Sequence, residues 1–257
     1  MKNDLSQMNG LSRALMLIDF LSLYPRGISL AELSHETSLP KSTAHRLLSE
    51  LIDTGYVVRG PGASYKLSFK VCELSSRVLS GLDIIETSTP VIRSLCEHTG
   101  EMIHLVAPSD TDIVYLRKEI PYDISFQTMS YIGMRRAMYC TAAGKSILSA
   151  LDENVVREIW EKSNIVKITE HTITQYHVLL KELELTRARG YAIDNEENEV
   201  GIRCIASCIK GHDGLPVAAV SISGGVNEIT DERIAALSGE LIQCAEHISF
   251  CMGYRAK

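Results

Sequence analysis

Residues 28–48 read Ile28-Ser-Leu-Ala-Glu-Leu-Ser-His-Glu-Thr-Ser-Leu-Pro-Lys-Ser-Thr-Ala-His-Arg-Leu-Leu48, and residues 56–67 read Tyr56-Val-Val-Arg-Gly-Pro-Gly-Ala-Ser-Tyr-Lys-Leu67. The first stretch predicts two short helices across a tight turn, and the second a two-stranded wing. Ser29, followed three residues later by Glu32, makes a capping box in which each side chain satisfies an orphan backbone N–H. Leu30 and Leu33 share that helix with polar Glu32, Ser34 and Glu36. Thr37-Ser38-Leu39-Pro40 breaks it. Pro40 fits the first position of the next helix, where its missing N–H costs nothing, with Ser38 or Leu39 at the cap.

The second helix has two faces. Ala44, Leu47, Leu48, Leu51 and Ile52 recur at i, i+3, i+4, i+7 and i+8, an apolar stripe. Lys41, Ser42, Thr43, His45 and Arg46 occupy its first turns away from that stripe, where a helix-turn-helix reads base edges and phosphates. Arg46 and Lys41 can pair with guanine or phosphate, and Ser42 and Thr43 can donate to either. Gly55 stops the helix as a left-handed residue does. In the wing, Gly60-Pro61-Gly62 marks the turn, and Arg59 and Lys66 can reach neighbouring phosphates. The bland alternative is a small helical subdomain that binds nothing, but cap, proline start, polar face, glycine stop and wing rarely coincide.

Outside this motif, residues 11–23 form an apolar helix with more hydrophobic surface than a small winged domain can bury, which points to a dimer interface. Residues 69–82 predict a linker helix, with Leu74, Val78 and Leu82 at four-residue spacing. Helix is also predicted over 83–99, interrupted at Pro90 and stopped by Gly100, and over 142–150, 153–162, 176–189 and 232–252. Strands are predicted at 102–106, 112–118, 124–129, 191–193, 202–209 and 215–223. Strand runs joined as hairpins and mixed with helices indicate an α+β fold with a mostly antiparallel sheet. The domains read as 1–68 (winged helix-turn-helix), 69–82 (linker helix) and 83–257 (α+β).

The chain has 257 residues and a net charge of −6, unpromising for a DNA-binding protein until it is divided. Residues 1–82 hold nine Lys and Arg against seven Asp and Glu, a net +2; the remainder holds 17 against 25, a net −8. A basic face can hold phosphate while the acidic remainder limits non-specific binding. No run reaches membrane-span length, and the polar N-terminus lacks a secretory pattern, so the reading is a cytoplasmic protein without a membrane partner. Seven irregularly spaced cysteines argue against a disulfide framework. Cys72, Cys96, Cys244 and Cys251 read as buried small hydrophobes.

Three segments resemble the IclR family of bacterial transcriptional regulators: Leu39-Pro-Lys-Ser-Thr-Ala-His-Arg-Leu-Leu48, Tyr139-Cys-Thr-Ala-Ala-Gly-Lys-Ser-Ile-Leu148 and Gly190-x3-Asp194-x2-Glu197-x6-Cys204-Ile-Ala206. The resemblance runs from Leu11 to about Tyr254. The chain departs from the family pattern at Tyr139, where histidine is frequent, and at Cys208, Lys210 and Gly211. It is most similar to the branch that includes the ketodeoxygluconate-responsive repressor of pectin breakdown. What this implies is a winged-helix domain, a linker helix and, over 83–257, a GAF-like effector-binding domain. It further implies a homodimer or tetramer on a palindromic double-stranded DNA operator. The implied ligand is a small organic acid, with sugar-derived keto acids as the leading class.

A pocket is also legible in the residues. A helix starting near Thr141 offers free N–H groups at Ala142, Ala143 and Gly144, and its dipole favours a carboxylate. A close-packed helix start is the plainer reading. The Gly144-Lys145-Ser146 string lacks the glycine a phosphate loop needs at Tyr139. Ser221 and Ser223 alternate on a strand and face one side. Glu196, Glu197 and Glu199 read as a solvated loop. By resemblance, Asp194 accepts hydrogen bonds from ligand hydroxyls, and Cys204, Ser221 and Ser223 line the pocket.

The function the resemblance implies is a ligand-controlled repressor of carbohydrate or sugar-acid catabolic genes, with no catalytic residue, no cofactor and no metal expected. An activator of an aromatic- or organic-acid operon is the alternative. A cysteine enzyme would need Cys140 or Cys204 beside a base, and His104, His171 and His212 show no pairing pattern. A metal sensor lacks a ligand-spaced cluster.

Overall fold

The computed structural model describes residues 8–79, 81, 83–123 and 128–256. The chain forms two compact units, Met1–Leu82 and Asp83–Lys257.

The first unit begins with α1 (Gly10–Ser22), capped by Asn9, whose side chain accepts from the Ser12 N–H at 2.9 Å. Leu17 and Leu21 are buried, whereas Leu11 and Leu15 stay 70% and 56% exposed. A short strand β1 (Ile28–Ser29) leads into α2 (Leu30–Thr37), where the Ser29–Glu32 capping box is formed in full. Ser38 ends α2 in the left-handed region at φ 56°, and the Ser34 hydroxyl donates to the Leu39 carbonyl at 2.7 Å to hold the turn. Then comes α3 (Lys41–Asp53). Pro40 lies one residue earlier than expected, at the cap, because its ψ of 138° is extended; its carbonyl accepts from Ala44 at 2.9 Å.

Gly55, at φ +81°, stops α3 as expected. Its N–H donates to Ile52 and that of Tyr56 to Leu51, the two bonds of a Schellman motif. Strands β2 (Val57–Arg59) and β3 (Ser64–Leu67) follow around a 3-10 turn, Pro61–Ala63. The sheet has a third strand the sequence did not reveal, because β1 pairs with β3 through Ile28↔Tyr65 and Ser29↔Ser64. Two residues are too few to show alternation. The core gathers Leu17, Leu21, Leu33, Leu47, Leu48 and Val57, each Leu worth roughly 1.5–3 kcal/mol on full burial. α4 (Lys70–Leu79) is the last described element of the unit. Leu74 is half-exposed; the Val78 side chain and Leu82 lie outside the described residues.

The second unit opens with α5 (Ile84–Thr99), capped by Asp83 and ended by Gly100 at φ +70°. The helix runs through Pro90 rather than being interrupted there. The proline forfeits one backbone bond, while buried Ile92, Leu95 and Cys96 hold the helix to the core. The remaining elements are β4 (Met102–Ser109), β5 (Asp112–Glu119), β6 (Arg135–Ala137), α6 (Ala142–Ser149), α7 (Glu153–Lys162), α8 (Tyr176–Arg189), β7 (Ala192–Asn195), β8 (Ile202–Lys210), β9 (Pro216–Gly225) and α9 (Asp231–Cys251). A 3-10 turn, Met138–Cys140, joins β6 to α6. Of the strand expected at 124–129, residues 124–127 lie outside the described set and Thr128 and Met129 are not strand.

Six strands pair antiparallel in the order β6-β5-β4-β9-β8-β7. α6 packs on one face with α8 against it, and α5 and α9 pack together against β4, β8 and β9. Cys96 and Cys244 are buried, but Cys72 and Cys251 are exposed, on α4 and on the last residue of α9. Among the described residues no helix is long and apolar enough to cross a membrane.

Candidate functional site

The first site is a surface on the N-terminal unit. On α3, Ala44, Leu47, Leu48 and Leu51 are buried, which turns Lys41, Ser42, His45 and Arg46 outward, with Thr43 half-buried. No side chain caps α3. The N–H groups of its first turn are therefore open to a phosphate, aided by the helix dipole. Arg46 is held by Glu50 one turn on, at 2.7 Å, with both side chains more than half exposed. Such a pair is worth well under about 1 kcal/mol, so it holds Arg46 extended without locking it. In the wing, Arg59 is exposed and its guanidinium lies over the Tyr65 ring at 5.8 Å. Lys66 is half-buried and pairs across from Val58. All seven residues expected to meet DNA thus lie on α3 or on the wing strands.

The second site is a cleft on the α6 face of the large sheet. Strand register aligns its walls. Asp194 pairs with Cys204 and Cys204 with Ser223; Ala206 pairs with Ser221, Ser221 with His104, and His104 with Lys118. Cross-strand partners share a face, so five strands contribute to one polar surface. A bulge between Leu105 and Val106 shifts the register by one residue, pairing Val106 with Tyr115. That shift brings Tyr115 to the face that already carries Lys118, although the two are three positions apart. The cleft takes in His104, Tyr115, Ala142, Ala143, Asp194, Cys204, Ser221 and Ser223, together with Thr128, Ser130, Arg136, Asn198 and Glu199.

The polar groups are wired together. His104 Nε2 lies 2.9 Å from Ser130 Oγ, and its Nδ1 3.3 Å from Ser223 Oγ. The Lys118 ammonium donates to Ser130 Oγ at 3.0 Å and to the Ser130 carbonyl at 2.9 Å. Burial, with the Lys118 charge beside it, pushes the His104 imidazole down to about 3. His104 is therefore neutral, with one ring nitrogen donating and the other accepting.

Asp194 is buried on β7, and its Oδ1 accepts the N–H of Glu197 at 2.7 Å and of Asn198 at 3.4 Å. Burial pushes its carboxyl up to about 7, against the pull of Lys145 and with a further push from Glu197. Behind it, the fully buried Lys145 ammonium donates to Glu197. Sequence reasoning placed Glu197 in solvent; it is 6% exposed. Glu196 and Glu199 are half-buried rather than free, and Glu196 accepts the Gly201 N–H at 2.8 Å.

Gly144 departs from expectation. The Thr141 hydroxyl already accepts its N–H at 3.1 Å, leaving only Ala142 and Ala143 to offer theirs to the cleft. A Cβ on Gly144 would stand 2.3 Å from Met138 Cα and carbonyl oxygen. The glycine is there for close packing, the plainer of the two readings, and does not line the cleft.

Neither candidate nucleophile is activated. Burial raises the Cys140 thiol to about 12, and burial followed by the Asp194 charge raises Cys204. A thiol must ionise to attack. Among the described residues no group of three or more metal-ligating side chains is assembled. Sequence reasoning did not single out Arg136 and weighed His104 only as a base for a cysteine nucleophile; cross-strand register brings both to the cleft.

Each unit matches a known domain family. Residues 10–61 match the IclR helix-turn-helix domain, and residues 76–250 the bacterial transcriptional regulator IclR C-terminal domain. The chain is 37% identical over 230 residues to the HTH-type transcriptional regulator KdgR of Escherichia coli, covering 89% of this chain and 87% of that one. It is 36% identical over 250 residues to the E. coli DNA-binding transcriptional repressor YiaJ, covering 96% and 89%. The crystal structure of Thermotoga maritima IclR superposes with a TM-score of 0.65 at 36% identity, covering 96% of this chain and all of that one.

Proposed function

This chain belongs to the IclR family of bacterial transcriptional regulators, and on that premise we propose that it represses carbohydrate or sugar-acid catabolic genes under the control of a small organic acid. It is a DNA-binding regulator and not an enzyme, in keeping with its regulator-named relatives. The observation that carries the finer reading is the cleft: a neutral His104, two serines and a buried Asp194 set opposite the free N–H groups of Ala142 and Ala143. Hydroxyl acceptors facing anion donors suit a hydroxylated or keto acid. Repression is supported by relatives named as repressors, among them YiaJ.

In this reading α3 enters the major groove of a palindromic operator, with Lys41, Ser42, Thr43, His45 and Arg46 at the bases and phosphates. Arg59 and Lys66 of the wing hold the flanking backbone. Two or four copies assemble, and the exposed Leu11 and Leu15 of α1 form part of the contact. The acid binds one arrangement of the oligomer better than another and so shifts operator affinity. Footprinting on DNA upstream of the chain's own gene tests this. A protected palindrome that Arg46→Ala abolishes is the expected result; protection unchanged in that variant removes α3 as the reading helix.

A further inference from the structure

We infer that Arg136 selects the charge and orientation of the effector, gripping the carboxylate of a polyhydroxylated acid while the hydroxylated chain points toward Asp194. The inference rests on the cleft being the effector site and names its anchor and its ligand class.

Register separates two neighbouring arginines. Arg135 pairs with Val114 and Arg136 with Ile113, so they face opposite sides of the sheet. Arg135 is fully engaged, donating to Asp112 at 3.0 Å and to the Ser109 hydroxyl and carbonyl at 3.0 and 2.9 Å. Arg136 is half-buried on the cleft wall. Its one hydrogen bond found among the described residues goes to the Arg135 carbonyl at 3.3 Å, and no carboxylate there lies within ion-pair distance. A guanidinium carries five donors in a planar fork that matches a carboxylate. Its remaining donors are left for water or for an anion in the cleft.

The acidic groups fix the orientation. Asp194 and Arg136 stand on β7 and β6, the two edge strands of the sheet, and both act on the half-buried Tyr115, in opposite directions. A carboxylate near Asp194 and Glu199 would meet acidic groups, so it settles at Arg136, whose guanidinium adds to the N–H groups of Ala142 and Ala143 in the same cleft. The remainder of the ligand then faces Asp194, Glu199, Ser221 and Ser223, which pair with hydroxyls.

Isothermal titration of the full chain with 2-keto-D-gluconate, D-gluconate, pyruvate, benzoate and D-glucose tests this, using wild type, Arg136→Gln and Arg136→Lys. The expected result is that wild type prefers the two sugar acids. Arg136→Gln weakens them at least tenfold, Arg136→Lys recovers part of the loss, and glucose binds no variant. Sugar acids bound equally by Arg136→Gln and wild type overturn the anchor and leave the cleft reading standing. Equal loss in both variants with a lowered melting temperature marks Arg136 as structural and also overturns it. A wild-type preference for benzoate overturns the ligand class, and a wild type that binds none of the acids overturns this inference and the effector reading together.

Discussion

The ammonium of Lys145, with no solvent exposure, is paired to the carboxylate of Glu197 fifty-two residues further along the chain. The pair ties the first turns of α6 to the loop that follows β7. It therefore sets the spacing between Ala142 and Ala143 on one wall of the cleft and Asp194 on another. One Glu197 oxygen accepts from Lys145 while the other, Oε2, is buried without a hydrogen-bond partner, so the interaction holds geometry at some expense in stability.

Removing one member of this pair strands the other. Lys145→Met is expected to cost about 3–5 kcal/mol by urea unfolding. Replacing both Lys145 and Glu197 with Met should cost less than the two single changes added together. A single variant within about 1 kcal/mol of wild type would show that the pair holds nothing.

Asp194 gives the C-terminal unit a pH signature. Burial pushes its carboxyl up to about 7 from the ordinary value of 3.8. The folded state thus holds a proton that the unfolded state has already lost between those two values. Stability from this group is fully present below pH 3.8, falls as pH rises toward 7, and is flat above it. Asp194→Asn, which mimics the protonated acid, should raise the melting temperature at pH 8 and have little effect at pH 4. Melting curves at several pH values check this, and a gain independent of pH contradicts it.

Gly144→Ala should destabilise the C-terminal unit by about 1–3 kcal/mol or more. The added Cβ would lie 2.3 Å from the Met138 backbone, which cannot rotate away as a side chain can. Thermal unfolding measures it, and a stable Ala variant would mean that the Met138–Cys140 turn yields freely.

On the DNA-binding unit, base and phosphate contacts should separate by salt dependence. Arg46→Ala is expected to lose about 1–3 kcal/mol of operator affinity and relax specificity at one base position. Lys66→Ala should weaken all sequences alike and reduce the salt slope by about one. Anisotropy titrations at several salt concentrations distinguish the two, and equal salt slopes for Lys66→Ala and wild type would remove the wing contact.

The N-terminal unit was legible because its signals are local. The capping box, the Leu47–Leu48–Leu51 stripe and the Gly55 stop each span a few residues and are found where they were read. The antiparallel sheet was legible as hairpins, and Ser221 with Ser223 as one strand face. What escaped depends on distant partners. Glu197 sits in an acidic run whose composition suggests solvent, and only Lys145, brought back by the fold, makes its burial tolerable. Arg136 and His104 reach the cleft through cross-strand register, and Tyr115 through a one-residue bulge. Pro90 misled because a local rule was outweighed by the buried face of α5.

The most direct measurement is fluorescence anisotropy of the full chain on labelled operator DNA at fixed salt, with and without saturating 2-keto-D-gluconate, for wild type and Asp194→Ala. The account expects the acid to weaken wild-type binding at least tenfold, a coupling of about 1.4 kcal/mol, and to leave Asp194→Ala on the DNA. Operator affinity that is identical with and without the acid, in a wild type shown by titration to bind it, would contradict the claim that this cleft controls the reading of DNA.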